Sequence, residues 1–351
     1  MVVDPTHPEG GERVTLRDVA LRAGVHVSTA SRVLRRRERG AESRGQLSDT
    51  AERVRRIADE LGYRPDPYAA SLRTQRTDTF GVLVPALTDL VLATIYDAIE
   101  QTAKERGYDT FVANTRDDLG EQRRRVDLLL DRRVDGLILG DARLDSTFVD
   151  ELAARDVPFV LTSRRHGDHP SVTCDDELGG RLAAQHLLGL GHRRVAVVAG
   201  EPYASTGQDR TRGFLEVCRE SGVRVPASRV VHSRFDVDGG RAAAERLLAV
   251  RTPPTAIFAV NDFAAIGVMG ALRDYGMRVG EDVAVVGYND VPIARELPIP
   301  LSTVRSPLRE MGEQAVTGLC ARLEGKDVGV VRLAPEMIRR ASSVPVRRDE
   351  S

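Results

Sequence analysis

Two hydrophobic patterns divide the 351-residue chain. In the N-terminal part, apolar residues recur at intervals of three and four, the spacing of one face of a helix. After Thr77, short apolar runs such as Gly136 to Leu139 and Val195 to Ala199 alternate with amphipathic helical patterns. Short apolar strands separated by helices are typical of parallel sheets in an α/β fold. The pattern therefore predicts a small helical N-terminal domain followed by a larger α/β domain.

The first two predicted helices lie between Thr15 and Leu34. Thr15 and Asp18 have the spacing of a helix-capping pair, so the first helix is predicted to begin at Leu16. Gly24 is predicted to end it, because glycine enters the left-handed conformation without steric cost. A second helix then begins at Val27. This spacing is typical of a helix-turn-helix, in which the second helix enters the major groove of DNA.

A third helix is predicted from near Ser48, a plausible N-cap, to Gly62. Its apolar residues have helical spacing and are expected to close a three-helix head: Val54, Ile57, Ala58 and Leu61. The polar, arginine-rich segment 36–46 between the second and third helices is predicted to be a mobile loop. It would either add contacts to DNA phosphates or serve only as a surface loop.

The segment from Thr15 to Leu34 resembles the DNA-binding head of the lactose-repressor (LacI-type) transcription regulators, whose usual form is close to TLxDVAxxAGVSxxTVSRVLN. Residues 63–73 resemble the hinge of that family, YxPNxxAxxL, and residues 333–343 resemble its closing LxPELxxRxS segment. The resemblance implies a sequence-specific repressor that binds a near-palindromic operator in double-stranded DNA as a homodimer. It also implies a small polar effector, such as a sugar, that controls operator affinity.

The family resemblance also implies the fold and its boundaries: a helix-turn-helix head and a two-lobed core like that of periplasmic binding proteins, with doubly wound parallel sheets. The expected segments are a leader (1–13), the head (14–64), a hinge (65–77), the core (78–345) and a tail (346–351). Within the core, the first lobe is expected to take about residues 78–176 and 304–326, and the second lobe about residues 177–301 and 327–345.

Candidate DNA-binding residues follow from the same resemblance. The start of the second helix would read base edges, with Arg32 as a two-pronged donor to guanine. Leu72 would wedge between base pairs in the minor groove and kink the duplex. The full set is Thr15, Val27, Ser28, Thr29, Arg32, Arg35, Tyr63, Ala69 and Leu72. The alternatives are that the helix residues are only exposed polar groups and that the hinge is an ordinary linker.

Candidate effector-binding residues lie where the resemblance and the strand pattern coincide, because ligands of parallel sheets bind outside the carboxyl ends of the strands. Arg210 would hold the effector through its guanidinium, and Phe235 would cover it. The remaining candidates are Asp175, Asn261, Asn289, Val91 and Leu92. Val91 and Leu92 stand where relatives tend to have aromatic residues and cannot stack on a sugar, which leaves the ligand class open. Asp or Asn after a strand can also be no more than a helix cap.

Charge supports DNA binding by the head. The chain has a formal net charge of -1, but residues 1–77 hold 15 Arg and 11 acidic residues and carry +4, which leaves -5 for the rest. A basic excess confined to one domain is expected of a nucleic-acid partner. The three cysteines are far apart, no apolar run is long enough to span a membrane, and the leader lacks an apolar core. A cytoplasmic protein without membrane contact is therefore expected.

Other chemistries find little support in the sequence. His166, Asp168 and His169 could contribute to a metal site, but a solvated loop is favoured because no further ligand has suitable spacing. No nucleophile motif or phosphate-binding loop is present, so no enzymatic activity and no cofactor are expected. The remaining alternative is a solute-binding protein with the same core, which would have no use for residues 15–34.

Overall fold

The computed structural model describes residues 14–38, 48–63 and 76–344, without the side chains of residues 35–38. The chain divides into two compact units at the boundary between Thr77 and Asp78. In the described residues, no helix is long and apolar enough to cross a membrane.

The head consists of three helices: α1 (Leu16–Ala23), α2 (Val27–Glu38) and α3 (Asp49–Glu60). Its core contains the residues expected from helical spacing, including Val19, Val54 and Ile57. Ala20 and Ala30 are also buried, and their small side chains leave room for α1 and α2 to cross closely.

Both predicted boundaries of α1 agree with the structure. The carboxylate of Asp18 accepts hydrogen bonds from the backbone N–H (2.8 Å) and the hydroxyl (2.7 Å) of Thr15. Gly24 follows α1 in the left-handed conformation, with φ of 63°. Helix α2, however, continues to Glu38, so residues 36–38 of the predicted loop are helical. Arginine and glutamate are good helix formers, which accounts for the longer helix.

The first lobe of the core is built on a six-stranded parallel sheet with the strand order β11-β5-β4-β3-β1-β2. Its strands are β1 (Thr79–Val84), β2 (Asp109–Asn114), β3 (Gly136–Leu139), β4 (Phe159–Thr162), β5 (Ser171–Cys174) and β11 (Val330–Leu333). Its helices are α4 (Leu90–Glu105), α5 (Leu119–Asp131), α6 (Phe148–Ala154) and α12 (Leu308–Leu323). The central strands β1, β3 and β4 are buried along their whole length, as expected for a sheet covered on both faces.

The second lobe has the strand order β12-β10-β9-β8-β6-β7, in which only β12 is antiparallel. Its strands are β6 (Val195–Ala199), β7 (Val230–His232), β8 (Ala256–Ala259), β9 (Ala284–Asn289), β10 (Ser302–Arg305) and β12 (Glu336–Ile338). Its helices are α7 (Asp176–Gly189), α8 (Ser205–Glu220), α9 (Val237–Leu248), α10 (Asp262–Asp274) and α11 (Ile293–Glu296). The predicted fold class, with two doubly wound lobes, is confirmed.

The lobe boundaries differ from the predicted ones at two places. Strand β10 (302–305) pairs with β9 in the second sheet, so the second lobe extends to Arg305 instead of ending at residue 301. Strand β11 (330–333) pairs with β5 in the first sheet, so the first lobe does not end at residue 326. The chain therefore returns to the second lobe between Leu333 and Glu336. The pairing of these peripheral strands decides the boundaries, and their apolar pattern is too weak to reveal it.

Candidate functional site

The outer face of α2 is the candidate DNA-reading surface. Val27, Ser28 and Arg32 are exposed, and Thr29 is half-buried beside them. A side chain facing solvent at the start of a helix of this kind is free to reach a base edge. Thr15 is also exposed, and Tyr63 is half-buried and packs against the head core. The side chain of Arg35, and Ala69 and Leu72 of the predicted hinge, lie outside the described residues.

A cavity of about 530 Å³ lies in the core, lined by residues of both lobes. This volume is typical of small-molecule sites. Of the predicted effector residues, the cavity wall includes Val91, Leu92, Arg210, Phe235, Asn261 and Asn289. Asp175 is not part of the wall: its carboxylate accepts a hydrogen bond from the backbone N–H of Leu178 and caps α7. The helix-cap alternative therefore describes what Asp175 does in the structure.

Arg210 is a buried cation at the cavity wall. Its Nε donates to the carboxylate of Asp176 (2.7 Å), and its Nη1 donates to the carbonyl of Val260 (2.7 Å). The guanidinium also lies 3.7 Å above the ring of Tyr288. Burial raises the pKa of Asp176 to about 6, and the charge of Arg210 opposes that rise. These contacts fix the guanidinium at the cavity wall, as a positioned, charge-assisted donor requires.

Two glycines allow α7 and α8 to bring Arg210 to this position. A Cβ atom at Gly180 would overlap the backbone carbonyl of Arg210, and one at Gly213 would overlap the carbonyl of Glu177. Only glycine permits backbones to approach this closely. The sequence did not reveal the part played by either glycine, because its signal is a contact between two helices.

The other predicted residues of the second lobe hold one another in place. The side-chain amide of Asn261 donates to the carbonyl of Phe235 (2.7 Å), while its oxygen caps α10 through the N–H of Ala264 (2.9 Å). The Phe235 ring lies against Gly200, where a Cβ would overlap it. Asn289 accepts a hydrogen bond from the Ser306 hydroxyl (3.1 Å). Asn261 therefore uses both of its polar atoms to position Phe235 and α10.

Several cavity residues were missed by sequence reasoning. Asp117 forms two hydrogen bonds with the guanidinium of Arg164 (2.6 and 3.0 Å), and both residues line the cavity with Tyr203 and Asp89. Burial raises the pKa of the Asp89 carboxyl, which caps α4 through the N–H of Val91. Asp117 and Arg164 follow the ends of β2 and β4, so the rule that ligands bind at the carboxyl edge of a sheet could have identified their loops.

The backbone is strained at the same edge of the sheets. Arg116 and Asp117 both have φ of 56°, Ser163 has φ of 63° and Asn289 has φ of 105°, and all four line the cavity. Left-handed conformations at residues other than glycine cost of the order of 1 kcal/mol or more and concentrate at functional sites. The same conformation also occurs at Asp78, Arg133, Asp156 and Asp290, which do not line the cavity, so it does not by itself mark a binding site.

Polar contacts at the rim of the cavity connect the two lobes. The Tyr203 hydroxyl donates to Asp117 (3.2 Å), and its ring stacks 3.6 Å from the guanidinium of Arg143. Burial raises the Tyr203 pKa to about 12, so the phenol keeps the proton that it donates. The guanidinium of Arg165 in the first lobe forms two hydrogen bonds with Asp209 in the second. The contacts hold the two lobes together in the arrangement that encloses the cavity.

The loop that could have contributed to a metal site makes a different set of contacts. His166 and His169 both hydrogen-bond the carboxylate of Asp150, at 3.2 and 2.6 Å. These two bonds hold the pKa of Asp150 below its usual value, with the larger effect from His169. Across the described ranges, no group of three or more His, Cys, Asp or Glu side chains could hold a metal ion.

Comparison with known proteins identifies related sequences and structures. Residues 15–66 match the family described as "Bacterial regulatory proteins, lacI family", and residues 184–343 match a periplasmic binding protein-like domain. The transcriptional regulator DegA of Bacillus subtilis is 30% identical over 342 residues, which is 95% of this chain and 99% of that protein.

Two solved structures are similar over nearly the whole chain. The lac repressor dimer bound to operator and the anti-inducer ONPF has a TM-score of 0.84 and 28% identity, and covers 95% of this chain and 100% of its own. The complex of the transcriptional regulator CelR with cellobiose has a TM-score of 0.70 and 32% identity, and covers 94% and 100%. These similarities extend over the head as well as the core.

Proposed function

The chain belongs to the LacI family of bacterial regulatory proteins and is a DNA-binding transcription regulator with an effector-binding core. We propose that a small polar ligand in the cavity between its lobes controls its affinity for operator DNA. The observation that carries the proposal is the cavity itself, which presents a fixed cation, Arg210, between two lobes that meet through polar contacts at its rim. A ligand that bridges such lobes stabilises one lobe arrangement over others, which is the requirement for control by binding.

The protein acts as a repressor and binds its operator as a homodimer, with one α2 helix in each of two successive major grooves. A two-fold symmetric dimer requires a near-palindromic site, because each head reads the same half-site. The exposed face of α2 and the net charge of +4 in residues 1–77 support this part of the proposal. Because its partner is operator DNA, the proposed location is the cytoplasm, and no enzymatic role is proposed.

The ligand class follows from the cavity wall. Acidic and basic side chains line the cavity together with three aromatic rings, those of Tyr203, Phe235 and Phe263. This combination suits a sugar or another compact polar ring. The related CelR was solved with cellobiose, which favours the sugar class. Val91 and Leu92 add an apolar wall in the first lobe, so that wall offers no aromatic face for a sugar to stack on.

The test is binding of the full-length protein to its own promoter region, followed by addition of a panel of sugars and nucleobases. We expect protection of a near-palindromic site and a change in affinity with at least one compound. The variant Arg210→Lys, which keeps a charge beside Asp176 but loses the guanidinium, should bind the promoter site and respond to the compound only at much higher concentration. Equal binding to promoter and unrelated DNA, at every salt concentration, would contradict the proposal.

A further inference from the structure

The imidazole of His26 holds Ser28 by two contacts at the start of α2. The backbone N–H of Ser28 donates to Nδ1 of His26 (3.3 Å), and the Ser28 Oγ lies 2.8 Å from the same nitrogen. The carbonyl of His26 accepts from the N–H groups of Thr29 (2.9 Å) and Ala30 (3.2 Å). His26 is therefore the N-cap of α2, and its ring satisfies a backbone donor that would otherwise lack a partner.

These contacts fix the direction of the hydrogen bond between the two side chains. A backbone N–H always carries its hydrogen, so Nδ1 of His26 is the acceptor in that contact. The Ser28 hydroxyl, which faces the same nitrogen, must then donate its hydrogen to it. A hydroxyl has one hydrogen and two lone pairs, so the outward side of Ser28 Oγ is left as an acceptor.

We propose that His26 makes Ser28 an acceptor-only reader, so that each head selects the exocyclic amino group of an adenine or cytosine in the major groove. The inference rests on the proposed function, since it assumes that α2 enters that groove. In general a serine hydroxyl pairs with either a donor or an acceptor on a base. Here the hydrogen is committed to His26, and only the amino groups of adenine N6 and cytosine N4 are donors on that edge.

Ser28 and His26 are both placed for this role. Both are exposed at the N-terminal end of α2, the end that contacts base edges in a helix-turn-helix. His26 acts as a positioning residue: it fixes the hydroxyl direction of Ser28 whether or not it touches DNA itself.

The first step of the test locates the base pair that Ser28 reads. Full-length wild-type protein and Ser28→Ala are measured on duplexes carrying every single base-pair change in one operator half-site. We expect one position at which the wild type discriminates roughly tenfold and Ser28→Ala does not. A uniform loss of affinity on all duplexes would overturn the inference, because it would show a phosphate contact.

The second step removes single groups from the base at that position. Replacing adenine with purine, or cytosine with 2-pyrimidinone, deletes only the amino group. We expect the affinity of the wild type for the duplex to fall by the same factor of roughly ten, and the affinity of Ser28→Ala to stay unchanged. Substituting a 7-deazapurine for the purine at that position deletes the N7 acceptor and is expected to leave the affinity of both proteins unchanged. The reverse result would show that Ser28 donates, and would overturn the inference while leaving the proposed function intact.

The third step tests His26 itself. His26→Ala frees the Ser28 hydroxyl to donate as well as accept, so the tenfold discrimination against bases that present an acceptor at that position, guanine O6 or thymine O4, should shrink to about threefold or less. His26→Asn should restore it, since an Asn N-cap accepts through Oδ1 in place of Nδ1. Circular dichroism checks that both variants remain folded. Unchanged discrimination in a folded His26→Ala would contradict the role of His26, and failure of every protein to prefer any operator would reject the proposed function as well.

Discussion

Arg165 in the first lobe and Asp209 in the second form a two-pronged ion pair, with Nε and Nη2 of the arginine 2.8 and 2.7 Å from the two carboxylate oxygens. The Arg165 backbone N–H also donates to the Ser205 hydroxyl of the second lobe (2.9 Å). Because these bonds form only when the lobes are at this separation, they favour the arrangement that encloses the cavity.

Arg165→Ala should therefore weaken ligand binding. Arg212 also contacts Asp209 (2.8 Å), so the variant does not leave that carboxylate without a cation. Loss of the ion pair should destabilise the ligand-bound lobe arrangement by about 1 kcal/mol. The ligand concentration that gives half of the maximal change in operator binding should therefore rise roughly fivefold. The control is Arg278→Ala, whose partner Asp282 lies in the same lobe. An unchanged half-effective concentration in Arg165→Ala would show that the pair does not control lobe closure.

Arg210→Lys should shift the ligand response to much higher ligand concentrations and keep operator binding. The lysine keeps a positive charge beside the buried Asp176 but lacks the guanidinium that contacts both Val260 and the cavity. Loss of a charge-assisted bond of about 1.5–3 kcal/mol corresponds to a ligand affinity that is roughly 10- to 150-fold weaker. Calorimetric titration measures the ligand affinity, and Arg219→Ala, at an exposed position on the same helix, serves as the control. A wild-type affinity in Arg210→Lys would locate the ligand elsewhere.

Arg32→Ala should reduce specific operator binding by roughly 1–3 kcal/mol and leave nonspecific binding nearly intact, if its guanidinium reads a guanine. Arg32 is exposed on α2. The exposed Arg56→Ala on α3, where Arg56 pairs with Glu60, serves as the matched control. Competition between operator and unrelated DNA at fixed salt gives both affinities. Equal losses on the two DNAs would mean that Arg32 contacts only phosphate.

Asp262 should make the stability of the core fall as pH rises. Its carboxylate is buried and accepts from the N–H of Val291 (2.8 Å) and the hydroxyl of Thr303 (2.6 Å). Burial raises its pKa from 3.8 to about 7. The folded state therefore binds this proton more tightly than the unfolded state, so the contribution is complete below about pH 4 and is lost as the pH approaches 7.

Asp262→Asn removes this dependence, because an amide can keep both hydrogen bonds without ionising. Urea unfolding at several pH values between 4 and 7 gives the unfolding free energy of both proteins. As the pH rises, the stability of the variant relative to the wild type should increase, by at most about 1.4 kcal/mol per pH unit. The exposed Asp274→Asn should show no such trend, since hydrogen bonds from Arg241 and Arg273 lower the pKa of Asp274. A pH-independent difference for Asp262→Asn would mean that Asp262 stays ionised throughout this range.

The sequence predicted the parts of the fold that depend on local pattern. Strands β3 and β6 have the predicted bounds, because each is a short run between clear breaks. Strands β10, β11 and β12 were not predicted: they lie at or near the sheet edges, and Ser302–Arg305 carries little apolar signal. Their assignment depends on which neighbour each strand pairs with, which no local pattern contains.

The candidate site was predictable where a family motif marked it and not where distant residues meet. Arg210 and Phe235 stand at the cavity wall as expected. Tyr203 and Arg143 meet across the lobes from positions 60 residues apart, and the stacking of an arginine on a tyrosine has no signature in sequence spacing. Asp175 has the sequence context of a ligand-binding residue but caps α7, because a carboxylate after a strand serves either purpose.

The central claim, that the cavity ligand controls operator affinity, is tested most directly by measuring the coupling in both directions. Operator affinity is determined with and without saturating ligand, and ligand affinity with and without saturating operator, on the same full-length protein. Binding linkage requires the two ratios to be equal, and typical allosteric coupling of about 1–3 kcal/mol predicts a common factor of roughly 5 to 150. A ligand that fills the cavity while leaving operator affinity unchanged would contradict the account.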